Sequence, residues 1–211
     1  RIFSELIIAG INVNITLLFD YKIYLQFAST YIEALEKRNN NNDPIDHVAS
    51  VASFFVSRID TVADQMHDNA NLKGKIAVAN AVKAYKGFQE LFSGDKWERL
   101  VLKGAMPQRP LWASTSTKNP DYSDILYVQE LFANQTVNTL PEKTLLAFFD
   151  HGETPINIDN QKIQDAISAL DNLEKEGISL QEITSQLLKD GLTAFENDFN
   201  SLMESIEQYT N

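Results

Sequence analysis

The chain has no cysteine among its 211 residues, which excludes disulfides and thiolate metal sites and points to a reducing compartment, the cytoplasm. Its histidines, His47, His67 and His151, show no metal-ligand spacing, so neither a metal nor another cofactor is expected. No apolar run approaches the roughly eighteen residues of a membrane span, and nothing near Arg1 resembles a signal peptide. The nucleotide-binding loops G-x-G-x-x-G and G-x-x-x-x-G-K-[ST] are both missing. Positive charge is scarce as well. The net charge is −11, and residues 151–211 hold 12 of the 29 acidic residues but 3 of the 18 basic ones. That excess reads as a solvated helical face. It leaves no general footprint for nucleic acid or an anionic membrane, so neither is an expected partner. An anion would have to be held by individual residues at a local site.

What is present is organised around Arg109–Asp124, RPLWASTSTKNPDYSD. A short apolar run (Leu111, Trp112, Ala113) passes directly into four hydroxyl residues, Ser114–Thr117, and then Lys118. Pro120 interrupts, and Ser123 and Asp124 can cap a helix beginning near Ile125. A buried strand ending in hydroxyls and an ammonium, with a helix behind it, is the layout of a ligand site at the carboxyl end of a parallel strand. A phosphate or a carbonyl suits those groups. A Ser/Thr-rich surface turn with a solvated lysine has the same local sequence.

The same layout recurs. Ile11–Phe19 (INVNITLLF) reads as a strand with apolar residues on both faces, interrupted by Asn12 and Asn14; Asn14 and Thr16 share a face. Val48–Val56 (VASVASFFV) is a second, with small residues alternating with large ones and Arg58 just beyond its end. Pro110–Ala113 and Thr136–Leu140 are the third and fourth. Helices are expected over Ile2–Ala9, Tyr21–Lys37, Ile59–His67, Gly74–Phe92, Lys96–Lys103 and Ser123–Phe132, and from Pro141 to about His151. After Pro155 the pattern is helical only: Asn160–Lys175, Leu180–Lys189 and Gly191–Tyr209, with Gly177 and Gly191 as breaks. The expected organisation is therefore residues 1–155 as an α/β unit and 156–211 as an acidic helical extension packed on it. Strands each followed by helices imply a parallel α/β arrangement, either an open doubly wound sheet or part of a (β/α)8 barrel. The missing nucleotide loops weigh against the open sheet.

Five collinear stretches carry a resemblance: GINVNITLLF (Gly10–Phe19), VASVASFFVSRID (Val48–Asp60), GKIAVANAVKAY (Gly74–Tyr85), RPLWASTSTKNPDYSDILYV (Arg109–Val128) and TVNTLPEKTLLAFFDHG (Thr136–Gly152). Together they resemble transaldolase in its longer bacterial subfamily. That resemblance implies a (β/α)8 barrel of the class I aldolase type, of which this chain would be the C-terminal half, strands five to eight, plus extra C-terminal helices. It also implies the chemistry. A lysine forms a Schiff base with a ketose phosphate, the protonated imine serves as electron sink, and a three-carbon dihydroxyacetone unit passes to an aldose phosphate.

By the same resemblance, Asn14 and Thr16 match the strand-five pair that hydrogen-bonds substrate and positions the catalytic water. Ser53 and Arg58 match the strand-six serine and the phosphate-binding arginine. Lys118 falls where a second cationic phosphate ligand stands, with Ser114 beside it. The resemblance places the Schiff-base lysine and the acidic general acid/base residues on strands one to four, which are not in this sequence; a first residue of Arg1, already within a helical pattern, fits a chain cut from something longer. The expected partners are sugar phosphates, together with the missing N-terminal half or a second copy of the chain to cover the unpaired edges of the first and last strands. Two other readings stay open: a non-catalytic sugar-phosphate-binding domain, and a self-contained aldolase whose nucleophile is Lys118, the one lysine directly after an expected strand end.

Overall fold

The computed structural model describes residues 1–153 and 157–210, with Tyr209 and Thr210 described by backbone alone. The expected boundary between residues 155 and 156 lies outside the described residues. Helix α1 (Ile2–Ile8) stops before Gly10, whose φ of +82° suits a residue without a Cβ. Strand β1 (Val13–Leu18) leads into α2 (Tyr21–Asn40), capped by Asp20, whose carboxylate accepts the Lys22 amide at 2.7 Å. Then follow β2 (Ser50–Phe55), α3 (Ser57–Met66), α4 (Ile76–Leu91), α5 (Gly94–Val101) and β3 (Arg109–Ala113). Helix α6 (Leu126–Glu130), β4 (Val137–Asn138), α7 (Glu142–His151), α8 (Asn160–Lys175) and α9 (Leu180–Thr210) complete the order. No helix of the described residues is long and apolar enough to cross a membrane.

The strands form one sheet in the order β1-β2-β3-β4, every neighbour parallel. A doubly wound sheet reverses direction at a switch point; this order runs straight through, as in a barrel wall. Register and alternation divide the two faces. Ala52, Phe54 and Trp112 are fully buried beneath α2, α4 and α8, in a core that also takes in Tyr24, Ala28, Ile76, Val82, Ile163 and Leu173. On the opposite face Asn14 and Thr16 are exposed, and Val51, Phe55, Leu111 and Val137 are half-buried. The apolar residues on the two faces of β1 are thus not covered alike: the helices close one face and leave the other partly open. A second core joins α1, α2 and α5 through Ile7, Tyr31, Leu35, Val48 and Trp97. The Tyr31 hydroxyl donates there to the carbonyls of Val48 and Met106, both at 3.0 Å.

Among the described residues β1 pairs with β2 alone and β4 with β3 alone. No described residue supplies the covering strand expected at either edge. The C-terminal end of β1 meets α9 instead. The break expected at Gly191 is absent, and α9 runs unbroken from Leu180 to Thr210. A Cβ on Gly191 would come within 3.3 Å of Leu17 and 3.9 Å of Phe19, so the glycine brings the helix close to the strand end. A close packing contact outweighs its helix-propensity cost of about 1 kcal/mol. Helix α6 is shorter than the expected Ser123–Phe132. A turn takes up the preceding residues, with Tyr122 donating its amide to the Asn119 carbonyl and Leu126 to that of Ser123. Pro141 caps α7 rather than opening it.

Beyond Gly191 the outer face of α9 is apolar yet open: Leu192 is 52 % exposed, Phe195 58 %, Phe199 61 % and Leu202 57 %. Phe199→Ser is therefore expected to change unfolding free energy by less than about 0.5 kcal/mol. Urea titration checks this; a loss of several kcal/mol would mean that this face is packed in solution.

Candidate functional site

Polar interruptions of the strands meet on the open face of the sheet, Asn14 near the start of β1 and Ser53 within β2. The Ser53 hydroxyl donates to Asn14 Oδ1 at 2.8 Å across β1 and β2, so these two expected site residues are in direct contact. Thr16 lies two positions further along and is also exposed. There β1 carries an extra residue: Ile15 is opposite Ala52, but Leu18 is opposite Phe54. The bulge puts Leu17 in the left-handed region, φ +59°, and turns both Leu17 and Leu18 into the core. Such a bulge redirects side chains next to a site at some cost in backbone strain. Thr16 remains on the open side.

Arg58 stands in the first turn of α3, directly after β2. Its side chain is exposed, and the guanidinium lies 5.7 Å from the centroid of Phe55, a residue of the open face two positions from Ser53. An anion held there would also meet the positive end of the α3 dipole. Ser114, with φ +55° at the end of β3, accepts the Ser57 amide on its carbonyl at 3.0 Å, and the two hydroxyls lie 3.3 Å apart. Ser114 is thereby joined to the turn that carries Arg58. Thr115, fully buried, donates to Asn138 Oδ1 at 2.8 Å and extends the polar rim to β4.

Lys118 is placed differently. Its exposed side chain lines a cavity of about 250 Å³ shared with Asp60, Asp64, Tyr122 and Tyr127, and neither Asn14 nor Ser53 is among the residues lining it. Asp60 is 2 % exposed and accepts from the Ala77 amide at 2.7 Å and the Tyr127 hydroxyl at 2.9 Å. Burial pushes its carboxyl up to about 7 against the opposing pull of those two donors. Burial and the adjacent Asp60 carboxyl likewise raise the Tyr127 phenol. Ser57, Asp60 and Asp64 were not singled out from sequence. Asp60 did leave a signal: it falls on the same helical face as Ile59 and Ala63, both fully buried, and a carboxylate on an apolar face needs partners. A larger cavity, about 770 Å³, lies between α4, α6 and α8, is lined by Val78, Leu126 and Ala166 with Lys162, and contains none of the expected site residues.

A parallel, sequentially ordered sheet with amide and hydroxyl groups on its open face, and a guanidinium just beyond its carboxyl end, places the chain in the α/β class. The sequence profile of the Transaldolase/Fructose-6-phosphate aldolase family matches residues 1–206, and the chain belongs to that family. It is 43 % identical over 214 residues to a transaldolase of Renibacterium salmoninarum, covering 99 % of this chain and 57 % of that protein. It is 42 % identical over 224 residues to one of Trichodesmium erythraeum, at 99 % and 58 % coverage. Against transaldolase 2 of Streptomyces coelicolor the identity is 43 % over 210 residues, at 97 % and 56 %. The chain thus spans little more than half the length of these relatives.

Proposed function

We propose that this chain is the phosphate-gripping part of a transaldolase and works within a longer (β/α)8 barrel as its strands five to eight. The observation that carries this is the hydrogen-bonded Asn14–Ser53 pair on an open sheet face, with Arg58 at the start of the next helix. The straight strand order and the family membership support it. In this reading Asn14 and Thr16 orient the substrate and a water molecule. Ser53, Arg58, Ser114 and Lys118 hold the phosphate through charge-assisted hydrogen bonds, which are about twice as strong as neutral ones. The nucleophilic lysine and the acid/base carboxylate come from outside these residues, from preceding strands of the same protein or from a partner chain that closes the barrel. The reaction moves a three-carbon ketol unit from a ketose phosphate, fructose 6-phosphate or sedoheptulose 7-phosphate, to an aldose phosphate.

A second reading has one observation in its favour: Lys118 shares a cavity with two carboxylates and two phenols, which is chemistry a self-contained lysine aldolase could use. Borohydride trapping with fructose 6-phosphate, read by intact mass and peptide mapping, separates the two. The expected result is no adduct on this chain and an adduct on a preceding lysine once the barrel is complete. A sugar adduct on Lys118 would reverse the assignment.

A further inference from the structure

We propose that Asp64 and Tyr122, together with Asp60 and Tyr127, are positioning residues that fix the loop between β3 and α6 on helix α3 and so set Lys118 relative to Arg58. The inference rests on the phosphate-binding reading of those two cations. Its geometry is a doubled clamp. Asp64 accepts from the Tyr122 hydroxyl at 2.7 Å and the Gly74 amide at 3.1 Å. One turn earlier, Asp60 accepts from the Tyr127 hydroxyl at 2.9 Å and the Ala77 amide at 2.7 Å. Each carboxylate thus joins one phenol from the β3–α6 segment to one amide at the entry of α4.

The clamp closes a frame. At its other end the loop is tied to α3 through Ser114 and Ser57, amide to carbonyl at 3.0 Å. Lys118 lies between the two ties, in a segment stiffened further by Thr117 donating to the Ser123 carbonyl at 2.8 Å. Arg58 belongs to the same helix as both carboxylates. The backbones of the two cations are therefore held against one rigid element, which lowers the ordering cost of meeting a single phosphate. Gly74 completes the fit. Its φ is +70°, and a Cβ there would come within 3.0 Å of the Tyr122 ring.

Stability alone does not account for this choice of residues. Among the described residues neither Asp60 nor the half-buried Asp64 forms an ion pair, and the buried Asp60 carboxylate, served by neutral donors, is costly beside an apolar contact of the same size. The directional hydrogen bonds specify where the loop sits.

A double-mutant cycle in the full chain tests this, with dissociation constants for fructose 6-phosphate measured by calorimetry. Tyr122→Phe is expected to weaken binding by about 3- to 10-fold. In the Lys118→Ala background the same substitution is expected to change binding by less than about 2-fold, because the cation it positions is gone. Equal losses in both backgrounds, or no loss in either, would reduce the clamp to a structural tie and overturn the proposal. Absence of wild-type binding, or an unchanged constant in Arg58→Ala, would instead sink the phosphate reading and the clamp with it. If Tyr122→Phe fails to fold, Asp64→Asn, which keeps shape and one acceptor, enters the same cycle with the same expectations.

Discussion

Asp60→Asn is expected to stabilise this chain, by an amount that grows with pH. The carboxyl of Asp60 is raised from 3.8 to about 7 in the folded protein. Its favourable contribution is complete below the unfolded value and is lost as pH climbs to the folded one, because between the two the unfolded chain releases a proton that the folded chain still holds. Each pH unit in that window is worth about 1.4 kcal/mol. Asparagine imitates the protonated side chain: its oxygen accepts from the Ala77 amide, and its NH2 donates to a Tyr127 hydroxyl that has rotated to accept. The variant and the wild type should be similar near pH 4 and diverge up to pH 7, reaching a few kcal/mol. Above pH 7 the difference should be constant. Urea unfolding of both proteins from pH 4 to pH 8 reads this out. Parallel curves would show that Asp60 titrates as an ordinary exposed aspartate.

The same residue shows where sequence reasoning stops. The strands were legible because parallel strands are written as short apolar runs, and their parallel direction followed from the helices between them, whereas their order did not. Helix α8 was legible to its ends, since Asp159 caps it through the Lys162 amide and Gly177, with φ +78°, follows its last turn. Asn14 stood out as a polar interruption of an apolar run and Ser53 through the family resemblance, and the two are hydrogen-bonded to each other. Gly191 misled because local propensity marks a break, whereas the deciding contact with Leu17 is distant in the chain. Asp60, Asp64, Tyr122 and Tyr127 escaped for a related reason. Their pairings span 58 and 67 residues, and although Asp60 falls on an apolar helical face, nothing local names the phenol it meets. Lys118 was legible as a cation after a strand, but not as a neighbour of that cluster.

Trp112→Ala is expected to be the most damaging single change in the sheet. The indole is fully buried in β3, set edge-on to Phe54 at 5.9 Å, and Phe54 is in turn edge-on to Tyr24 at 6.5 Å. Truncation removes the largest side chain of that row and leaves a cavity, a change that costs about 3–5 kcal/mol. It also leaves the Leu131 carbonyl, which accepts from the indole nitrogen at 3.0 Å, without that donor, adding about 1–3 kcal/mol. Against a total of about 5–15 kcal/mol for a domain, the variant should be largely unfolded at 37 °C by circular dichroism. Trp112→Phe separates the two effects, keeping most of the volume while losing the donor. Leu111→Ala, one residue away on the half-buried open face, should cost distinctly less. If Leu111→Ala proves as damaging as Trp112→Ala, the open face is packed in solution, and the picture of a wall stabilised from its helix side fails. If the contrast holds, the face bearing Asn14 and Ser53 contributes little to stability. Its side chains are then free to be chosen for the ligand they meet.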